Sequence, residues 1–78
     1  MIRIYADFQH EDEDGRIPLI CNGSLEDLES AKDQLFSGIK VVLYHDDEFE
    51  VEAILVREDL WFAEPDMDTM RYLDVEDT

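Results

Sequence analysis

The amino-acid sequence predicts an α+β domain. An antiparallel, curved sheet of five to six strands packs against one amphipathic helix at about residues 25–36. Three observations predict it. Segments rich in β-branched and aromatic residues recur with the two-residue period of half-buried strands. Short acidic turns separate the later ones, which is the spacing of an antiparallel meander. A single stretch, NGSLEDLESAKDQLFSG, carries a helical period instead. With 78 residues there is room for one domain, 1–78, around one core.

The first segment, MIRIYADF, alternates. Ile2, Ile4, Ala6 and Phe8 fall on one side, and Arg3, Tyr5 and Asp7 on the other. QHEDEDGR breaks that pattern and reads as a solvated turn or hairpin loop. IPLIC is apolar, but Pro18 cannot donate a ladder hydrogen bond, so an edge strand or an irregular extended segment is expected. Next comes the helix. Ser24 is placed as its cap with Asp27 three residues on, resembling a capping box. Leu25, Leu28, Ala31 and Leu35 form its apolar stripe with Phe36 beside it, and Gly38 suits a left-handed C-terminal cap. IKVVLYH, FEVEAILVR and LWFAE follow as three strands, with Pro65 ending the third. DMDTM predicts one short helical turn, RYLDV a last strand, and EDT a frayed end.

Between about residues 39 and 74, the tight meander, short turn and last strand are similar in spacing to the later strands of an SH3-like barrel. That resemblance implies a strongly curved sheet.

Charge limits what the protein can bind. Asp and Glu number 22 against 6 Lys and Arg, a formal net charge of -16. Direct contact with nucleic acid needs cations to neutralise phosphates, and anionic membrane surfaces are disfavoured on the same ground. No run of about 18 apolar residues is present to span a bilayer. The one cysteine, Cys21, has no intrachain partner, so a reducing, cytoplasmic compartment is expected. Compaction brings like charges together, so added salt should stabilise the fold by screening them. The expected outcome is a melting temperature that rises between low and moderate salt. A fall over that range would contradict it.

The carboxylates of HDDEFEVE carry the candidate function. Glu48, Glu50 and Glu52 share one strand face at about 6.8 Å intervals. With Asp46 and Asp47 in the preceding turn they form an acidic surface suited to a positively charged partner. Trp61 and Phe62 are adjacent, so a strand sends them to opposite sides. Burial accounts for both; otherwise Trp61 is the aromatic anchor, and Tyr5, Tyr44 and Tyr72 are further candidates if they lie nearby. The apolar Ile54 and Val56 continue the acidic face, which calls for a bulge near Ala53 or for cover on both sides.

Other chemistries find little purchase. Aligned on Gly15, Asp12 and Asp14 match two calcium-loop positions, but His10 and Cys21 occupy the terminal ligand positions. Zinc would need ligands drawn from His10, Cys21 and His45, on three separate segments. No phosphate-binding glycine loop is present, and no acid, base and nucleophile converge in the sequence. The sequence therefore predicts a non-enzymatic binding module without cofactor or metal, a monomer or weak homodimer of inhibitor, immunity or adaptor type. The alternatives are a structural or accessory protein whose acidity serves solubility or a saline habitat, and a nucleic-acid mimic.

Overall fold

The computed structural model describes residues 1–46 and 48–73. It contains strands β1 (Arg3–Tyr5), β2 (Ile17–Pro18), β3 (Lys40–His45), β4 (Phe49–Arg57), β5 (Trp61–Pro65) and β6 (Arg71–Tyr72), and helix α1 (Asn22–Ser30). Single 3₁₀ turns lie at Phe8–His10, Lys32–Gln34 and Met67–Thr69. The expected frayed end, EDT, and the end of the RYLDV strand fall outside the described residues.

One curled sheet runs in the order β1-β3-β4-β5-β2, and β6 joins β4 beside β5. The meander β3-β4-β5 is antiparallel as expected. The sheet as a whole is mixed, because β1 lies parallel to β3 with Ile4 opposite Leu43. The acidic loop after β1 therefore closes no hairpin. It connects strands at the two ends of the sheet path, β1 and β2, which do not pair with each other. Pro18 does sit in the terminal strand.

β4 organises the sheet because it is long enough to be paired along two different halves. Its first half takes β6, through Phe49 opposite Tyr72, and its second half takes β5, through Leu55 opposite Ala63. The gap between them is bridged by the third 3₁₀ turn. Thr69 Oγ1 accepts the Glu52 N–H at 2.9 Å, and the Asp66 N–H donates to Glu52 C=O at 2.8 Å. The β4 ladder is unbroken, so no bulge occurs at Ala53. Ile54 and Val56 instead stay on the outer face, half-buried.

Parity sets the core. Ile4, Leu43, Val51 and Leu55 are fully buried, with Ile17, Leu19 and Leu28 beside them. The helix is shorter and earlier than 25–36. Cys21 is its N-cap, and its Sγ makes no cap hydrogen bond. Ser24 lies inside the helix, completely buried, and donates to the Tyr5 C=O instead of capping. After Ala31 the chain tightens into a 3₁₀ turn and Leu35 is extended. A competing bond explains that early end: the Gly38 N–H donates to the Leu55 C=O at 2.7 Å, which ties this segment to the sheet. Gly38 does adopt a positive φ of 102°, but in the turn into β3 and not at the helix end. Leu25, expected on the apolar stripe, and Phe36, expected beside it, are 50% and 61% exposed.

The helix also seals the sheet's open edge. Even-numbered residues of β1 bond to β3, so the Tyr5 N–H and C=O point away from the sheet. Ser24 takes the carbonyl, and Asp27 Oδ2 accepts the N–H at 2.8 Å. The same oxygen accepts the Tyr44 hydroxyl at 2.7 Å. Close approach needs Gly23, since a Cβ there would lie 2.8 Å from Tyr5 Cδ2.

Candidate functional site

The row of glutamates is not an open acidic face. Glu50 is 5% exposed and lies between two guanidinium groups. Arg3 donates to it at 2.6 Å from β1, and Arg71 donates from β6 through Nε at 2.7 Å and through Nη2. The bonds from Arg71, then those from Arg3, hold its carboxyl below the usual glutamate range. Glu52 faces Lys40 at 3.6 Å. Arg3, Lys40 and Arg71 thus converge on these two strand carboxylates and offset their charge. The expected solvation of Glu50 fails because residues far away in sequence fold over it. The middle carboxylate of the three is therefore covered, and the glutamates do not present an open row.

Trp61 lies elsewhere. It pairs with Arg57 at the far end of β4, roughly 27 Å of strand from Phe49 at about 3.4 Å per residue. Its half-buried ring packs on the core, and the Arg57 guanidinium sits over it at 5.3 Å. Phe62, on the opposite face, is covered by Arg16 at 4.4 Å. Neither ring joins the acidic turn.

The turn between β3 and β4 is where acids and rings do meet. Asp47 lies outside the described residues. Asp46 adopts a positive φ of 52°, a conformation Asp tolerates, and its side chain is 69% exposed. Glu48 is exposed. Phe49 begins β4, and its ring meets Phe8 at 4.9 Å, His45 at 6.0 Å and Tyr72 at 6.1 Å. Tyr5 stacks on His45 at 5.5 Å. The chain reaches this place twice because β1 runs alongside β3, which brings Asp7 and Phe8 beside the turn.

Asp7, Phe8, Gln9, His45, Glu48 and Phe49 line an open depression of about 250 Å³. His10 approaches Asp7 at 3.3 Å, and His45 approaches Asp46 at 3.6 Å. His45 Nδ1 lies 3.2 Å from the Ala6 carbonyl oxygen, which orients the ring. Among the described residues, no Lys or Arg pairs with Asp7, Asp46 or Glu48. The negative field there is felt by Tyr5, whose hydroxyl is raised above its ordinary pKa by burial, then by Asp46, with Cys21, Asp7 and Glu48 adding to it. Sequence reasoning found Asp46 and Glu48 but missed Asp7, Phe8, His45 and Phe49 as their companions. One signal was available for Phe49: its place at the strand start directly after the acids.

The other candidate centres are accounted for locally. Asp12 Oδ1 accepts the N–H groups of Asp14 and Arg16, both at 2.9 Å, so this carboxylate organises its own turn. Among the described residues, no group of three or more His, Cys, Asp or Glu is arranged to hold a metal ion. Cys21 Sγ lies 3.2 Å from Ser24 Oγ at the helix start. No helix of the described residues is long and apolar enough to cross a membrane. Comparison with protein-family models, curated proteins and solved structures returned no match.

Proposed function

We propose that the chain is a non-enzymatic binding module that docks a positively charged protein partner at the β3–β4 turn. The observation that carries this reading is the meeting of Asp7, Asp46 and Glu48 with the rings of Phe8, His45 and Phe49, without a lysine or arginine partner among the described residues. A chain of net charge -16 draws a basic partner over a Debye length, and rings at the contact supply apolar area. Inhibitor, immunity and adaptor roles all use such a surface. The module acts in the cytoplasm as a monomer or weak homodimer, without cofactor, and its charge repels nucleic acid and anionic membranes.

Glu50 and Glu52 leave the contact surface in this reading, because arginines and Lys40 already occupy them. Asp46 and Glu48 remain. The test is capture of the basic partner at low and high salt, with the wild type and with an Asp46→Asn, Glu48→Gln double variant. The variant should bind roughly three- to tenfold more weakly, and high salt should release the partner. Undiminished capture by the variant would remove the turn as the docking site.

A further inference from the structure

The fold shows how its own arginines are held. Arg3 lies over the Tyr44 ring at 4.9 Å and reaches Glu50 at 2.6 Å. Arg16 lies over Phe62 at 4.4 Å and reaches Glu58 at 3.0 Å. Arg57 lies over Trp61 at 5.3 Å. Twice, then, a guanidinium is gripped by an aromatic face below and a carboxylate at its side. That pairing suits its chemistry: the planar cation stacks on the ring while its N–H fork meets the oxygens.

The depression at the β3–β4 turn has the same parts. Phe8 and Phe49 meet at 4.9 Å with their planes tilted by 59°, and His45 stacks on Phe49. Asp7 and Glu48 stand on its walls, and no arginine of the described chain lies over these rings. Its volume of about 250 Å³ falls below the usual size of a small-molecule pocket, about 300–1,000 Å³, and its mouth is open. A single long side chain presented by another protein matches that space better than a free metabolite does.

We propose that this depression receives one arginine side chain of the positively charged partner, with the guanidinium against Phe8 and Phe49 and its N–H groups on Glu48 and Asp7. The inference rests on the docking reading above and adds its specificity. Arginine is preferred to lysine because an ammonium is a strongly hydrated point charge that gains less from a ring face and cannot fork to a carboxylate. An uncharged apolar side chain would leave the Glu48 carboxylate facing it without a cation, and would add nothing to Asp7, which already meets His10 at 3.3 Å and accepts the Gln9 N–H.

The test uses the full chain and two probes, end-blocked oligoarginine and oligolysine of equal length, titrated at low salt and followed by NMR. Oligoarginine should bind roughly three- to tenfold more tightly, with the largest shifts at Phe8, Phe49 and Glu48. Phe49→Leu should lower oligoarginine affinity more than oligolysine affinity and so close the gap between the two peptides. Should that substitution unfold the chain, Glu48→Gln, an exposed change, serves instead: it should weaken oligoarginine at least about threefold. Equal affinity for the two peptides, or an arginine preference that survives the substitutions, overturns the arginine assignment. The docking reading then still stands if both peptides bind in a salt-dependent way at the turn. Absence of binding by either peptide at low salt overturns both.

Discussion

Replacing Asp27 with alanine is expected to cost about 2–4 kcal/mol of stability, because one carboxylate oxygen serves two donors. The Tyr5 N–H points out of the sheet and has Asp27 as its acceptor at 2.8 Å, while the Tyr44 hydroxyl donates to the same oxygen at 2.7 Å. Alanine leaves both donors without that partner at a helix-covered edge, and hydrogen bonds to charged groups are the stronger kind. A domain of this size has a margin on the order of 5 kcal/mol, so the variant should sit near its unfolding threshold at ambient temperature. Thermal denaturation of the two chains decides it. A variant melting within about 3 °C of the wild type would mean that the edge seal contributes nothing.

A titration tests the same contact. Tyr44 is pushed up to about 12, first by its hydrogen bond to Asp27 and then by burial. Its folded value lies above the unfolded one, so its contribution is complete below about pH 10 and is lost as pH rises through the folded value. In the Asp27→Ala chain, Tyr44 should ionise closer to the ordinary tyrosine value, and the alkaline loss of stability should be shallower. Ultraviolet absorbance of tyrosinate reads the first effect directly.

Glu50→Ala is expected to lower the melting temperature by on the order of 10 °C, while Glu52→Ala changes it by less than about 3 °C. The two glutamates share a strand face and differ in surroundings. Glu50 is nearly buried under Arg3 and Arg71, and Glu52 faces only Lys40, 57% exposed. The loss at Glu50 is moderated because Arg3 and Arg71 are 50% and 72% exposed and can turn to water. β6 should loosen most, since its Arg71 ties it to β4 through this carboxylate. Acid denaturation provides the second readout. The carboxyl is held below the ordinary glutamate value, so its stabilisation is complete above about pH 4.3 and disappears as pH falls through the folded value. A Glu50→Gln chain should lack that part of the acid loss. Equal melting of the Glu50 and Glu52 variants would contradict the assignment of Glu50 as an internal ion-pair centre.

The strand at 49–57 shows how far the sequence could be read. Its alternation correctly placed Val51, Ala53 and Leu55 inside. The same alternation put Glu50 outside, on the right face, and could not foresee that it is covered there. Arg3 lies 47 residues away and Arg71 lies 21 away. The candidate site divides in the same manner. The exposed acids Asp46 and Glu48 follow from a polar run between two apolar strands, but their union with Phe8 and Asp7 depends on β1 running parallel to β3. Ser24 and Asp27 make the point at short range. Both are good capping residues, yet the buried edge of β1 is a stronger claimant for their oxygens than the helix start is for a cap.

By itself, the sequence determined which segments extend, which one coils, which side of each strand is apolar, and how negative the surface is. These are local properties, set by side-chain period and composition within a few residues. Only the tertiary structure decided which strands are neighbours, that β1 joins in parallel, that Arg3 and Arg71 enclose Glu50, and that rings and carboxylates meet at one turn. The physical reason is that a two-residue period states a face and not a partner. Partners are selected by the packing of the whole core, where every buried polar group must find an acceptor or donor from wherever the chain can bring one.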